Sequence, residues 1–213
     1  MARVLGHRGA GLHAPENTLA AIRCAAQMGV QWVEIDVRMS LDGALVLMHD
    51  ETLERTTNGY GLVDRTNLAD LRELDAGSWC SAEYAEEPIP TLSDAVALMA
   101  QLGVAANVEI KTSSDDDRPV GAEVAALLGC NWPAAFPSPI ISSFATPPLI
   151  SAKDSAPQLP RMLIVDTLPR DWQALIKALG CRHINVNHER LTQHAAKEVC
   201  AAGVSLLCFT VNN

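Results

Sequence analysis

The chain has 213 residues, of which 48% are hydrophobic and 19% are charged. This composition supplies a buried core and excludes a disordered chain, which cannot bury enough apolar surface to offset its ordering entropy. The formal net charge is -9 and no basic stripe is visible. We therefore expect no nucleic-acid partner and no stable association with anionic membranes. No apolar stretch approaches the roughly 18 residues that a spanning helix needs.

The N-terminus and the cysteines together predict a cytoplasmic protein. The first residues turn polar by Gly6 and His7, which is unlike a secretory signal. The six cysteines have no finger-like spacing, and most lie in apolar segments: Cys24, Cys80, Cys130, Cys181, Cys200 and Cys208. Buried free thiols are therefore expected rather than disulfides or a zinc site.

Short apolar runs alternate with helical patterns along the whole chain. The runs predict strands at 4–5, 32–39, 44–49, 104–111, 139–144, 161–165, 183–187 and 205–211. A first helix is expected to open at Pro15 to Thr18 and to stop at Gly29. Residues 51–90 are polar and punctuated by Gly and Asn, and we expect an excursion there with one short helix near 68–74. This alternation favours parallel strands covered by helices, either as a (β/α) barrel or as an open doubly wound sheet.

Polar residues gather where the predicted strands end. The groups, in chain order, are His7 and Arg8, Glu34 and Asp36, His49 and Asp50, Glu109 and Lys111, Ser142 to Phe144, and Asn185 to His188. Active sites of β/α folds are built at the carboxyl ends of strands. Their shared location therefore indicates a site at this edge of the sheet.

Three carboxylates in this set predict a metal site. Glu34 and Asp36 are two residues apart on one strand, so both side chains project to one face. A solvated acidic face on an edge strand is the alternative, but strands of a helix-covered parallel sheet are buried on both faces. Buried carboxylates repel one another unless a cation joins them. A hard divalent cation would do so, with Glu109 as a third oxygen ligand.

Histidines and cations complete the candidate site. His7 and His49 flank the carboxylates and suit a general acid/base pair near neutral pH, although either one alone is more simply a structural histidine. Arg8 lies among glycines that allow close approach of a ligand, and Arg8 and Lys111 suit a phosphate, although most Arg and Lys are ordinary surface charges. The remaining histidines have no such partners in the sequence: His13, His183, His188 and His194.

A dinucleotide-binding fold is a competing interpretation of the glycine-rich start. That fingerprint is G-x-G-x-x-G with an acid about 20 residues further on. Here the order is G-x-x-G-x-G, with His7 and Arg8 inserted. Glu34 could imitate the ribose-binding acid, but Asp36 and Glu109 would then be unexplained. We rank this interpretation below a phosphoester-handling site.

The motifs together resemble those of the glycerophosphodiester phosphodiesterases. The matching segments are 6–9 (GHRG), 14–18 (APENT), 34–37 (EIDV), 42–43 (DG), 49–50 (HD), 53–59 (LERTTNG), 107–111 (NVEIK), 141–144 (ISSF) and 210–212 (TVN). Their order and spacing make the match specific, and it covers essentially the whole chain. Within the family, the chain resembles the cytoplasmic bacterial enzyme linked to glycerol-3-phosphate uptake.

The resemblance implies a single TIM-barrel domain over residues 1–213, with 51–90 as the family's insertion after the second strand unit. It implies His7 and His49 as the acid/base pair, and Glu34, Asp36 and Glu109 as ligands of one divalent cation, Mg²⁺ or Ca²⁺. Arg8 and Lys111 would hold the phosphate of a small glycerophosphodiester substrate. Phe144 and Phe209 would contact its glycerol side.

Two other functions on the same scaffold stay open. One is a lyase-like enzyme that forms a cyclic product, or a phosphodiesterase directed at lysolipids. The other is a catalytically silent phosphate-binding barrel, although both histidines are present. A TIM barrel also has eight strands and typically about 250 residues, whereas we count seven strand units, with 44–49 as part of the second. We therefore expect the last helix and eighth strand to be missing, either because the sequence is incomplete or because a partner subunit, such as a second copy, fills the gap.

Overall fold

The computed structural model describes residues 4–113 and 118–212. Over these residues seven strands form one sheet, in the order β2-β1-β3-β4-β5-β6-β7. The strands are β1 (Trp32–Met39), β2 (Leu45–Leu47), β3 (Ala105–Ile110), β4 (Ile140–Ser143), β5 (Arg161–Val165), β6 (His183–Asn187) and β7 (Ser205–Phe209). Every neighbouring pair is parallel except β1 and β2, which form an antiparallel hairpin.

Helices and strands alternate regularly from β3 to β7. The helices are α1 (Leu19–Gln27), α2 (Leu68–Arg72), α3 (Leu92–Leu102), α4 (Arg118–Asn131), α5 (Thr146–Ser155), α6 (Trp172–Leu179) and α7 (Gln193–Ala201). From β3 onward each strand is joined to its parallel neighbour by one helix. The sheet order is therefore sequential, whereas a doubly wound sheet reverses direction at a switch point. The topology fits the expected TIM-type fold.

The strands β1 and β3 are buried along nearly their whole length. Every residue of β3 is buried, and so is β1 up to Met39. Their parallel register places Asp36 beside Glu109 and Glu34 beside Asn107. The helices cover this part of the sheet with large apolar side chains that include Ile22, Leu92, Leu128 and Leu149. Polar side chains on β1 and β3 are thus fixed by a well-packed scaffold.

Residues 51–90 form the predicted excursion. They contain α2 and two short 3₁₀ turns, Val63–Arg65 and Ala82–Tyr84. Their apolar side chains form a separate core cluster with the end of the β2 hairpin: Val46, Met48, Leu53, Val63, Leu71, Ala76 and Ile89. The insertion is therefore a packed unit docked against the hairpin.

Two predicted boundaries at the N-terminus are wrong. Residues 4–5 are not a strand, because only Gly6 bridges to Val33 before the chain turns away. The helix begins at Leu19 rather than at Pro15, because Thr18 is its N-cap and accepts a hydrogen bond from the Ala21 N–H. Asn17 lies in the left-handed region with φ 57°, which the start of a helix cannot contain.

The cysteine prediction is correct for bonding and wrong for burial. All six thiols are free, but only Cys181 is buried. Cys130 and Cys200 lie in the last turns of α4 and α7 and are exposed there. Among the described helices none has the length and hydropathy required to cross a membrane. A cytoplasmic location and the loss of a final barrel unit stay predictions.

Candidate active site

A tight glycine turn brings His7 and Arg8 to the sheet. The Gly6 N–H donates to the Trp32 carbonyl (2.9 Å), and the Glu34 N–H donates to the Gly6 carbonyl (2.8 Å). A Cβ on Gly6 would lie 2.0 Å from the Gly9 oxygen, so only glycine fits. The turn directs the Arg8 N–H to Glu34 Oε2 (2.9 Å), and His7 Nε2 lies 3.9 Å from the same oxygen.

Glu34, Asp36 and Glu109 converge beside this turn. Each offers an oxygen within 4.8 Å of the others, and all three residues are buried. Burial, then the charges of Asp36 and Glu109, raise the pKa of Glu34 well above its ordinary value. Burial and the charge of Asp36 also raise the pKa of Glu109. The buried Glu34 Oε1 accepts no hydrogen bond from the described part of the chain. Such a donor set, crowded and incompletely satisfied, fits a metal ion.

Two cations lie against the same carboxylates. Lys111 Nζ is 3.1 Å from Asp36 Oδ1 and donates a hydrogen bond to Glu109 Oε1, and Arg8 Nε is 3.5 Å from Asp36 Oδ2. Burial opposes ionisation of Asp36, but the charge of Lys111 and a hydrogen bond from Asn17 outweigh it and lower the pKa of Asp36. Burial likewise opposes the charge of Lys111, and the neighbouring carboxylates outweigh it and raise the pKa of Lys111.

Asn17 is a positioning residue that the sequence reasoning missed. Its Nδ2 donates to Asp36 Oδ2 (2.8 Å), and its Oδ1 accepts from the Asp36 N–H (3.0 Å). This two-point clamp fixes both the backbone and the carboxylate of Asp36. The helix predicted to open at Pro15 gives Asn17 no role, although Asn17 lies in the segment 14–18 that matches the family motif.

His49 follows β2, and hydrogen bonds hold both its ring and its backbone. Its Nδ1 lies 2.6 Å from Asp50 Oδ1, and its carbonyl accepts a hydrogen bond from Arg38 Nε (3.0 Å). Burial lowers the pKa of both His7 and His49, with the Arg8 charge as the next contribution for His7. Neutral imidazoles at neutral pH can accept or donate protons, as acid/base catalysis requires.

Two aromatic residues border the site on the far side of β3. Phe144 and Phe209 contact edge to face, with ring centroids 5.6 Å apart and an interplanar angle of 86°. Lys111 Nζ lies 5.9 Å from the Phe144 ring centroid. The aromatic pair is thus continuous with the charged cluster, and about half of Phe144 remains exposed.

The predicted site residues all lie at the carboxyl end of the sheet, and contacts join most of them. They are His7, Arg8, Glu34, Asp36, His49, Glu109, Lys111, Phe144 and Phe209. His49 contacts Asp50 rather than the three carboxylates. Besides Asn17, the sequence reasoning assigned no role to Glu16, Asp50 and Arg55, which form an ion-pair chain behind His49 and Arg8. Glu16, Asp50 and Arg55 all lie in segments that match the family motifs, and this was the signal available in the sequence.

Carboxylates that can hold a metal ion, next to cations that can hold a phosphate, suit an enzyme that cleaves phosphoesters. The family model described as "Glycerophosphoryl diester phosphodiesterase family" matches residues 7–213. The chain belongs to this family, and the predicted family and enzyme class are confirmed.

Relatives and solved structures agree over nearly the full chain. A Bacillus subtilis glycerophosphodiester phosphodiesterase is 31% identical over 226 aligned residues, covering 98% of this chain and 76% of its own. A phosphodiesterase of Oleispira antarctica, solved with its product sn-glycerol-3-phosphate, is 38% identical with a TM-score of 0.97, covering 100% and 86%. The Agrobacterium tumefaciens glycerophosphodiester phosphodiesterase is 28% identical with a TM-score of 0.81, covering 100% and 88%.

Proposed function

We propose that this protein hydrolyses glycerophosphodiesters to sn-glycerol 3-phosphate and an alcohol, with a divalent cation, Mg²⁺ or Ca²⁺. The observation that carries the proposal is the buried triad of Glu34, Asp36 and Glu109, which lies beside two cations and within 3.9 Å of His7. The Oleispira antarctica structure that contains sn-glycerol-3-phosphate supports the identity of the product.

The carboxylate triad would hold the cation through oxygen ligands only. Glu34 Oε1 accepts no hydrogen bond from the described residues, and the pKa values of Glu34 and Glu109 are raised; both observations support a positive charge at this point. A divalent cation there would neutralise phosphate charge and stabilise the charge that develops in the transition state. Arg8 and Lys111, which border the triad, would orient the phosphate oxygens.

His7 and His49 would transfer the protons. In our assignment His7 takes the proton of the attacking hydroxyl, because it lies beside Glu34 at the triad. His49, protonated from solvent and with its Nδ1–H held by Asp50, then gives its Nε2 proton to the leaving alcohol. Each proton transfer typically contributes about 10²–10⁴-fold to the rate. The attacker is either the neighbouring glycerol hydroxyl, which gives a cyclic phosphate that water opens, or water itself.

Phe144 and Phe209 would hold the glycerol side of the substrate. Their edge-to-face pair presents an apolar surface next to Lys111. The carbon face of a glycerol unit can pack against such a surface while its phosphate contacts the cations. The substrate partner is therefore a small glycerophosphodiester.

A coupled assay of sn-glycerol 3-phosphate release tests the proposal. Glycerophosphocholine and glycerophosphoethanolamine are the substrates, with lysophosphatidylcholine for comparison, and each is assayed with Mg²⁺, with Ca²⁺ and after metal removal. We expect metal-dependent release from the two headgroup diesters. A stable cyclic product would favour the lyase-like alternative, and preference for the lysolipid would favour the lipid-directed one. Absence of turnover on every substrate and metal would reject the proposed activity.

A further inference from the structure

The segment from Leu53 to Gly59 is a sequence motif to which the proposed chemistry assigns no role. It folds as a tight, anchored turn. Leu53 is buried in the core cluster of the insertion, and its carbonyl accepts hydrogen bonds from both the N–H (3.1 Å) and the Oγ1 (2.7 Å) of Thr57. Thr57 Oγ1 in turn accepts from the Gly59 N–H (2.9 Å). Arg55 is therefore presented from an ordered turn rather than from a mobile loop.

The guanidinium of Arg55 bridges two carboxylates. It donates to Asp50 through Nε (2.5 Å to Oδ2) and Nη2 (3.0 Å to Oδ1). It also donates to Glu16 through Nη1 (2.8 Å to Oε2) and Nη2 (2.8 Å to Oε1). The side chains of Asp50 and Glu16 are 26% and 13% exposed, whereas that of Arg55 is 44% exposed. The cation thus covers the outer side of two partly buried acids.

Each of these carboxylates holds one residue of the proposed active site. Asp50 Oδ1 lies 2.6 Å from His49 Nδ1. Glu16 Oε1 accepts a hydrogen bond from Arg8 Nη1 (2.7 Å). Hydrogen bonds from Arg55, and then the one with His49, lower the pKa of Asp50. Asp50 is therefore ionised at neutral pH and can only accept, so Nδ1 of His49 carries the hydrogen and donates it.

We propose that Arg55 is a positioning residue for catalysis, which orients His49 through Asp50 and Arg8 through Glu16. The inference rests on the proposed function for what His49 and Arg8 do. With Nδ1–H fixed on Asp50, Nε2 is the imidazole atom left to exchange a proton with the substrate. Because Arg55 binds both carboxylate oxygens of Glu16, Glu16 holds Arg8 in one defined orientation. The insertion thereby aligns the proton-transfer group with the phosphate-binding group.

The hydrogen bonds of Arg55 to Asp50 and Glu16 indicate a role in orienting these carboxylates rather than in stabilising the fold. Exposed pairs contribute little to folding, and counting them is a poor argument for a stabilising role. A planar guanidinium that binds two carboxylates, each in a forked arrangement, fixes direction as well as charge, which a lysine cannot do. Outer groups that orient the ligands of metal sites typically change activity by about 10- to 100-fold when they are removed, and we expect an effect of that size from Arg55.

The test compares Arg55→Met with a matched control, Arg72→Met. Arg72 is an exposed arginine of the same insertion, and it pairs with Asp94 (3.0 Å) away from the site. Long-range ¹H–¹⁵N spectra report which imidazole nitrogen of His49 carries the hydrogen, without any substrate. Steady-state kinetics on glycerophosphocholine give kcat and KM separately, and thermal unfolding verifies that each variant is folded.

In the wild type and in Arg72→Met we expect His49 to be a single Nδ1–H tautomer. In Arg55→Met the Asp50 carboxylate loses the fork that fixes its direction and can turn away from Nδ1, so we expect a mixture of His49 tautomers. We also expect a kcat lower by about 10- to 100-fold, with a smaller change in KM. Arg55→Lys should fall between the two, and Asp50→Asn should lower kcat at least as much as Arg55→Met. An unchanged His49 tautomer, with kcat within about twofold of the control, would overturn the positioning role.

The tautomer measurement also separates the two proposals. If the wild type turns over neither glycerophosphocholine nor glycerophosphoethanolamine with either metal, the proposed function is wrong, while the spectra still report whether Arg55 orients His49. If turnover is normal but the His49 tautomer does not respond to Arg55→Met or to Arg55→Lys, the proposed substrate stands and the positioning role is rejected.

Discussion

Charged side chains are buried at both ends of the sheet, but the partners of these side chains differ between the two ends. At the amino end of β5, the buried Arg161 donates to the carbonyls of Leu159 (2.7 Å), Gly180 (3.1 Å) and Leu179 (3.3 Å). These carbonyls belong to the end of α6 and to the turn before β5, where a cation is favourable. At the carboxyl end, three carboxylates crowd together and Glu34 Oε1 lacks a hydrogen bond from the described residues.

The comparison separates a structural use of charge from a functional one. A cation whose donors are taken up by backbone carbonyls has no capacity left for a ligand. Crowded carboxylates that raise one another's pKa are stabilised in their charged form when a positive charge is added beside them. In β/α barrels the amino-terminal face generally serves stability and the carboxyl-terminal face carries the chemistry. Mutations at the two ends should therefore affect different measurements.

The largest effect is expected at the carboxyl end, in turnover. His7→Ala and His49→Ala should each lower the rate of sn-glycerol 3-phosphate release by about 10²–10⁴-fold, because each removes one proton-transfer group. The thermal unfolding midpoint should change little. His194→Ala is the matched control, because His194 lies on α7 with its side chain 85% exposed. Full activity in both active-site variants would contradict the acid/base assignment.

At the amino end the expected effect is in stability. Arg161→Met leaves the ends of α6 and of the turn before β5 with unpaired carbonyls, and should lower the free energy of unfolding by about 1–3 kcal/mol. Activity per folded molecule should stay the same. Arg182→Met, at an exposed neighbouring position, should shift stability by less than about 0.5 kcal/mol. Equal stability of the two variants in urea titrations would remove the contrast between the ends.

A smaller effect is expected in how stability depends on pH without metal. Glu34 has a raised pKa in the folded state, so the folded protein binds its proton more tightly than the unfolded chain does. The stabilisation by that proton is present below pH 4.5, the ordinary value, and is lost as the pH rises towards the folded pKa. Relative to Glu34→Gln, wild type should therefore lose stability as the pH rises above 4.5. A pH-independent difference between them in EDTA would be inconsistent with the crowded triad.

The clustering of Glu34, Asp36 and Glu109 could be predicted because it follows from strand periodicity. Side chains two apart on a strand share a face, and carboxyl ends of parallel strands meet at one edge. Glu34, Asp36 and Glu109 satisfy both rules, and so their convergence was visible in the sequence.

Contacts made by irregular backbone could not be predicted in the same way. Asn17 reaches Asp36 from a left-handed conformation, which no periodic pattern indicates. Arg55 and Glu16 are 39 residues apart and meet only because the insertion docks on the β2 hairpin. The predicted strand at 4–5 is wrong for a related reason, because the turn after Gly6 ends the pairing with β1 after one residue. Long-range contacts between loops depend on docking, which single-sequence patterns do not encode.

The central claim is that the carboxyl end holds one divalent cation through Glu34, Asp36 and Glu109. Calorimetric titration of the metal-free protein with Mg²⁺ and with Ca²⁺ tests it most directly, with Asp36→Asn as the site variant and Asp94→Asn as a control carboxylate outside the triad. We predict one bound ion per chain in wild type and in Asp94→Asn, and none in Asp36→Asn. Equal binding by all three proteins, or none in wild type, would contradict the claim.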